Sequence, residues 1–288
     1  MQITRKPEWL RKKIPAAEQA AMRGLLHDLA LHTVCQEALC PNIGECFSCG
    51  HATFLILGTD CTRHCAFCNI EASRVPQQPD PDEPRRVALA VERLQLSHVV
   101  ITSPTRDDLS DGGAAQYAAT VHAVRKRMPQ TRVELLIPDF AGDQESLAAV
   151  LQATPAILAH NLETVPRLYH IRAGASYQRS LQLLANASRM APTIPTKSGV
   201  MLGLGETSDE LVAVLQDLRR VGCRFLSLGQ YLAPSRRHQP VVAYIEPERF
   251  EQYGTLAREL GFEHVESGPY VRSSYHADRY QEQAPHGA

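Results

Sequence analysis

From Thr53 to Leu260 the chain repeats one unit, a short apolar segment followed by a stretch whose apolar residues recur at helical spacing. The apolar segments are Thr53 to Leu57, His98 to Thr102, Arg132 to Ile137, Ala156 to Asn161, Lys197 to Leu202 and Arg224 to Leu228. Helical stretches follow at Arg85 to Leu96, Ala114 to Met128, Gln144 to Leu151, Tyr177 to Met190, Asp209 to Val221 and Pro247 to Leu260. Short strands that do not alternate cleanly, each separated from the next by a helix, predict a parallel sheet buried on both faces. The class is therefore α/β, and a six-unit partial barrel and a doubly wound open sheet both satisfy the order.

Polar clusters collect at the ends of these strands. Cys61 to Cys68 follows the first, Thr102 to Asp108 the second, Asn161 to Thr164 ends the fourth, Gly203 to Glu206 the fifth and Gly229 to Tyr231 the sixth. In a parallel fold such positions share the face at the carboxyl ends of the strands, where ligands bind. Turn and cap chemistry gives a competing account, with Asp107 or Asp111 capping the helix near Ala114 and Ser208 the one near Asp209.

Seven of the eight cysteines lie between Cys35 and Cys68, and Cys223 stands alone. In a reducing compartment such crowding reads as metal ligation. Cys61, Cys65 and Cys68 form a C-x3-C-x2-C run. Three thiolates bind three irons of a [4Fe-4S] cubane and leave the fourth for a small molecule, which points to chemistry rather than to a sealed structural site. A structural zinc on these thiolates and His64 is the competing reading. Disulfides inside so short a loop would be strained. Upstream, Cys35, Cys40 and Cys46 form a C-x4-C-x5-C run. One tetrahedral zinc would leave two of these six thiolates idle, whereas two iron-sulfur clusters employ all of them. Cys49 fits neither spacing and reads as a spare thiol, Cys223 as core packing.

Composition narrows the remaining classes. With 44% apolar and 21% charged residues the chain is an ordinary globular one. No apolar run reaches the roughly eighteen residues that a membrane helix needs. Met1 to Pro15 is basic and polar without the apolar core of a secretory signal, so the expected location is the cytoplasm. The net charge is -1 and the basic residues are dispersed, which offers neither nucleic acid nor an anionic membrane a landing site. Ala16 to Leu31, with Met22, Leu25, Leu26 and Leu29 apolar, reads as a helix of an N-terminal extension, and Trp9 as its anchor. Four prolines between Val75 and Pro84 read as an ordered connection.

The downstream cysteine run resembles the signature of radical S-adenosylmethionine (SAM) enzymes. The segment Cys35 to Ile70, with CPNIGEC and ATFLILGTDCTRHCAFCNI, is similar more narrowly to the lipoyl synthase family, and the likeness runs on through KPEWLR, TSPTRDDLSDGGA, HNLETVPRLY, TKSGVMLGLGE, LGQYLAPSRRHQPV and GPYVRSSYHA. The resemblance implies two [4Fe-4S] clusters: a reducing one on Cys61, Cys65 and Cys68 that binds SAM, and an auxiliary one on Cys35, Cys40 and Cys46. The fourth auxiliary ligand is a serine of the RSSY motif, assigned to Ser274 with Ser273 as the alternative. A hard oxygen ligand suits iron less well than thiolate and is displaced more easily when the cluster is consumed. The implied reaction inserts two sulfur atoms at carbons 6 and 8 of a protein-bound octanoyl-lysine, one SAM being cleaved per hydrogen removed and the auxiliary cluster giving the sulfur.

SAM contacts are expected from Phe67 to the adenine, from Asn161 and Glu163 to the ribose or the methionine ammonium, and from Gly203 and Gly205 through close backbone approach. Phe67 as core, Asn161 in a turn and Glu206 at a helix start are the plainer readings. Arg272 is expected to contact the substrate or steady the auxiliary site. Implied partners are octanoylated lipoyl carrier domains, namely 2-oxoacid dehydrogenase acyltransferase subunits and the glycine-cleavage H protein, with an electron donor such as flavodoxin or ferredoxin. The expected fold is a partial (β/α)6 TIM-like barrel with N-terminal and C-terminal extensions, divided at 1–50, 51–245 and 246–288. Where the family often has Trp after the third auxiliary cysteine, Phe47 stands here. The competing functions are another radical SAM sulfurtransferase, which RSSY and the upstream cysteines count against, and a zinc-stabilised binding module.

Overall fold

The computed structural model describes residues 6–11, 19–48 and 52–275; Cys49 and the tail after Tyr280 lie outside them. The N-terminal extension contributes α1 (Gln19–Asp28), β1 (His32–Thr33), α2 (Val34–Glu37) and α3 (Ile43–Ser48). Met22, Leu26 and Leu29 are buried, as the helical spacing predicts. The anchor ahead of them is Leu10, fully buried, and not Trp9, which keeps 41% of its surface exposed.

The repeating units begin with β2 (Thr53–Leu55), and a ribbon of β3 (Asp60–Cys61) and β4 (Glu71–Ala72) brackets the cysteine loop. Then come α4 (Glu83–Arg93), β5 (His98–Thr102), α5 (Ala114–Arg127), β6 (Arg132–Leu136), α6 (Gln144–Gln152), β7 (Ile157–Ala159), α7 (Tyr177–Met190), β8 (Thr196–Leu202), α8 (Ser208–Arg220), β9 (Phe225–Gln230), α9 (Pro247–Glu259) and β10 (His264–Gly268). Helix starts follow side-chain chemistry. Thr207, one residue before the expected Ser208, caps α8 because Glu210 at the third helical position returns the bond and completes a capping box. Asp111 accepts the Gly113 and Ala115 amides ahead of α5.

The sheet runs β1-β2-β5-β6-β7-β8-β9-β10, parallel throughout except for β1, which pairs antiparallel with β2. A doubly wound sheet reverses direction at a switch point. Here each new strand joins the same growing edge, which is the order of a partial barrel. It has seven parallel strands rather than six, because β10 pairs in register along β9.

The strands alternate after all. Val99, Ile101, Val133 and Leu135 pack outward against one helix layer, and Val200, Leu202, Leu226 and Leu228 against the other. Their neighbours His98, Glu134 and Lys197 meet one another on the inner face beside the apolar cluster of Val100, Ile157 and Phe225, so the sheet is buried on both faces as expected, but the bore carries charge. Among the described residues no helix is long and apolar enough to cross a membrane.

Candidate active site

The cysteine loop past β2 is pinned from three other strand ends. Thr62 donates from N (2.9 Å) and Oγ1 (3.0 Å) to the Thr105 carbonyl beyond β5. Ala66 N–H donates to the Ile171 carbonyl (2.8 Å), beyond β7. From the loop after β9, Gln239 N–H donates to the Ala66 carbonyl (2.7 Å) and His238 Nε2 to the Cys68 carbonyl (3.1 Å). Arg63, inside the run, reaches Asp107 through Nε (2.7 Å) and Nη2 (2.8 Å), and Asp139 through Nη1 (3.1 Å) and Nη2 (2.8 Å). Asp139 also accepts Arg179 Nε at 2.8 Å. Burial would raise the Asp139 carboxyl, but Arg63 and Arg179 outweigh it and hold the group well below the usual carboxylate range.

Cys61, Cys65 and Cys68 are all partly buried. Burial pushes the Cys68 thiol up to about 12 and raises that of Cys65, so an incoming metal must displace protons from them. His64, the fourth ligand of the zinc reading, is exposed. Among the described residues no three His, Cys, Asp or Glu side chains converge on a single ion. A cubane takes one thiolate on each of three irons, which is the donor set this triplet offers, with His64 turned to solvent.

Asn161 and Glu163 lie just past β7. Asn161 Nδ2 donates to Glu163 Oε1 (3.0 Å) and Ser273 Oγ (2.7 Å), while its Oδ1 is buried without a partner. Glu163 holds a left-handed backbone (φ 65°), uncommon for a side-chain-bearing residue and fixed by bonds to Gly199 and Met201 on β8. Burial pushes its carboxyl up against the pull of Arg172. An acceptor-rich, under-donated pair at a strand end suits an ammonium or hydroxyl ligand, as SAM offers. Phe67 packs against the core of β8, β9 and their helices. Gly203 is covered by the chain itself: a Cβ there would lie 2.3 Å from Gln230 Nε2 and 2.4 Å from the Ala243 carbonyl. The Gly203 and Leu204 amides donate to the Glu206 carboxylate at 2.6 and 2.9 Å, so Glu206 closes this turn and does not start the next helix. Gly205 faces Val242.

Beside Asn161, His160 is buried at the end of a relay in which Tyr169 OH donates to Ser180 Oγ (3.0 Å), Ser180 Oγ to His160 Nε2 (2.9 Å), and His160 Nδ1 to the Ile137 carbonyl (2.9 Å). Burial and Arg172 bring its pKa down from 6.5 to about 4. The unfolded chain therefore takes up a proton that the fold refuses, and stability falls as pH drops through that window, by ~3 kcal/mol in all. Replacing His160 with glutamine is expected to flatten this slope, which urea unfolding of metal-free protein across the window measures.

Cys35 on α2, Cys40 in the following turn and Cys46 on α3 line a second site with Thr53, Arg272 and Ser274, around a cavity of about 140 Å³. Residues past β10 close it: Asn42 Nδ2 donates to the Tyr270 carbonyl (2.7 Å), Thr53 Oγ1 to Ser274 Oγ (2.6 Å) and Tyr275 OH to Glu45 (2.9 Å). Burial pushes the Cys35 thiol up to about 11. The cavity touches Leu96, Ser97 and His98, at the amino end of β5, whereas Cys61 to Cys68 follow the carboxyl end of β2. The two triplets thus approach the bore from different ends. Arg272 lies between, pulled below its ordinary value by burial and held up by Cys40 and Glu163. Asn69, next to Cys68, donates Nδ2 to the Glu37 carbonyl (2.7 Å) and ties the two cysteine segments together.

The radical SAM superfamily profile matches residues 55–218. A lipoyl synthase of Trichlorobacter lovleyi is 72% identical over 97% of this chain and 100% of its own length, and one of Geotalea uraniireducens is 64% identical over 97% and 99%. The chain belongs to the lipoyl synthase family. The crystal structure of Streptococcus suis SuiB bound to S-adenosylmethionine, 11% identical, shares the fold with a TM-score of 0.57 over 86% of this chain and 60% of that one.

In this lipoyl synthase family member, sequence reasoning missed the residues that hold the site rather than those that line it. Arg63, Asp139, Arg172 and Gln230 act across strands, and one strand's sequence carries no sign of what its third neighbour supplies. The one available signal was charge out of place, in Glu134 and Lys197 within otherwise apolar strands.

Proposed function

We propose that this sulfur-inserting radical SAM enzyme of the lipoyl synthase family works with two [4Fe-4S] clusters. Cys61, Cys65 and Cys68 hold the one that binds SAM; Cys35, Cys40, Cys46 and Ser274 hold an auxiliary one. When bound, the first supplies the electron that cleaves SAM and the second the two sulfur atoms that enter carbons 6 and 8 of the octanoyl chain. The observation that carries this reading is the shared cavity: the three upstream thiols, Arg272 and Ser274 line it together, whereas Ser273 is turned away toward Asn161. Ser274 is accordingly preferred over Ser273 as the oxygen ligand.

Asn161 and Glu163 accept the ammonium or ribose hydroxyls of SAM, Phe67 backs its adenine, and Gly203 and Gly205 shape the rim. Arg272, between the two sites, orients the substrate arm. The barrel aligns the alkyl carbon and excludes water. The octanoyl-lysine is presented by lipoyl carrier domains, those of 2-oxoacid dehydrogenase acyltransferases and the glycine-cleavage H protein, and a flavodoxin or ferredoxin in the cytoplasm supplies electrons.

Iron analysis tests the reading. Anaerobically reconstituted protein is expected to hold about eight irons per chain. Joint replacement of Cys35, Cys40 and Cys46 by alanine should lower this to about four, with 5′-deoxyadenosine still formed and no lipoyl product. Full iron loading after that replacement would rule out the auxiliary cluster.

A further inference from the structure

The bore holds a charged group that neither cluster nor SAM explains. Lys197 Nζ, on β8 and with no exposed surface, donates to Glu134 Oε1 on β6 at 2.9 Å and to the Ser273 carbonyl at 2.6 Å. Glu134 Oε2 lies 3.3 Å from His98 Nε2 on β5. Burial would raise the Glu134 carboxyl, but Lys197 and His98 overturn that and keep it below its ordinary value. A buried ion pair is seldom more stable than well-packed apolar side chains of the same size, so stability is a poor reason for its presence. Direction is a better one. With Glu134 balancing its charge, the ammonium has a donor left for the main chain that enters the bore.

That main chain is the segment carrying the serine pair. Ser273 is gripped twice, at its carbonyl by Lys197 and at its Oγ by Asn161 Nδ2 at 2.7 Å. Gly199 makes the room: a Cβ there would lie 2.8 Å from Asn161 Oδ1 and 3.3 Å from Ser273 Oγ. With residue 273 held from β7 and β8, Ser274 is left on the far side, bonded to Thr53 and lining the cavity of the auxiliary cysteines. We propose that Lys197, balanced by Glu134, is the positioning residue of the auxiliary site, fixing the main chain at Ser273 so that Ser274 Oγ faces Cys35, Cys40 and Cys46. The inference rests on the assignment of Ser274 as a ligand and adds what aims it.

The test compares wild type with Glu134→Gln/Lys197→Met, in which both charges are removed together so that neither is stranded, and with Ser274→Ala. In metal-free double variant, amide exchange is expected to quicken about tenfold at residues 273–275 while β6 and β8 stay protected. In reconstituted double variant, Mössbauer spectra should lose the oxygen-ligated iron, as in Ser274→Ala, with the iron count unchanged. A double variant with the wild-type spectrum, beside a changed Ser274→Ala, overturns the role of Lys197 and leaves the ligand assignment standing. A wild-type spectrum from Ser274→Ala overturns both. Exchange that quickens equally across β6 and β8 reduces Lys197 to a core ion pair and overturns the proposal.

Discussion

Replacing Gly229 with valine is expected to abolish lipoyl product while SAM cleavage continues. Gly229 is on the inner face of β9, where the returning chain passes closest: a Cβ added there would meet the Val271 carbonyl oxygen at 2.1 Å and Arg272 Nη1 at 3.3 Å. The first contact is of the Cβ itself with main chain, so no change of rotamer relieves it. The segment must lift, and Arg272 and Ser274 leave the cavity with it. Misplacement by about 1 Å is enough to cost a reaction of this kind roughly a hundredfold. On the site assignment proposed above, SAM cleavage depends on residues beyond β2 and β7 and should persist as uncoupled 5′-deoxyadenosine, which chromatography of both products reads directly. At Gly199 the nearest atoms are side-chain ones that can give way, so Gly199→Ala should do less. Wild-type product from Gly229→Val would mean that the segment has another path.

Arg63→Met should act on the opposite centre. It strips two of four hydrogen bonds from the Asp139 carboxylate, which has 1% of its side chain exposed and keeps Arg179 and the Ala141 amide. Breaking one side of a buried pair costs about 3 kcal/mol, and urea unfolding of metal-free protein should register it. Beyond that loss, the loop holding Cys61 and Cys65 loses its tie to the end of β6 and keeps only the Thr62 contacts at the end of β5. Reconstituted variant is expected to hold about half the wild-type iron and to lose SAM cleavage. Lysine should not rescue it, since a single ammonium cannot make two paired contacts. Asp107→Asn, at the more exposed partner, should cost well under 1 kcal/mol. Unchanged iron content in Arg63→Met would show that the ribbon of β3 and β4 suffices to hold the loop.

What the sequence made legible was local. Six strands, six helices and both cysteine runs could be read from spacing alone, because period and cysteine count are properties of a segment. β10 escaped because His264-Val265-Glu266-Ser267-Gly268 has a single apolar side chain, Val265, to pack outward; its other outward residue, Ser267, bonds the Phe250 carbonyl of α9 instead. The charges in the bore are illegible for the same reason: Lys197 reads as the first residue of an apolar strand, and only its meeting with Glu134 across β7 gives it a partner. Trp9 reads as the anchor from its residue type alone, whereas in the one turn of 3-10 helix it is Leu10 that faces inward. The placing of the auxiliary cysteines at the other end of the bore was not legible either. It depends on β1 running antiparallel to β2, which turns α2 toward the amino ends of the strands.

Residues 270–275 supply one wall of the auxiliary cavity, while Cys35, Cys40 and Cys46 supply another. During synthesis these two parts emerge at opposite times, with the entire barrel made in between. On the two-cluster reading proposed above, a nascent chain can therefore complete its reducing centre while the sulfur-donating one is still missing a side. Loading of that second centre must await residues 270–275, and a message cut short after β10 is expected to yield a chain that consumes SAM with nothing to give.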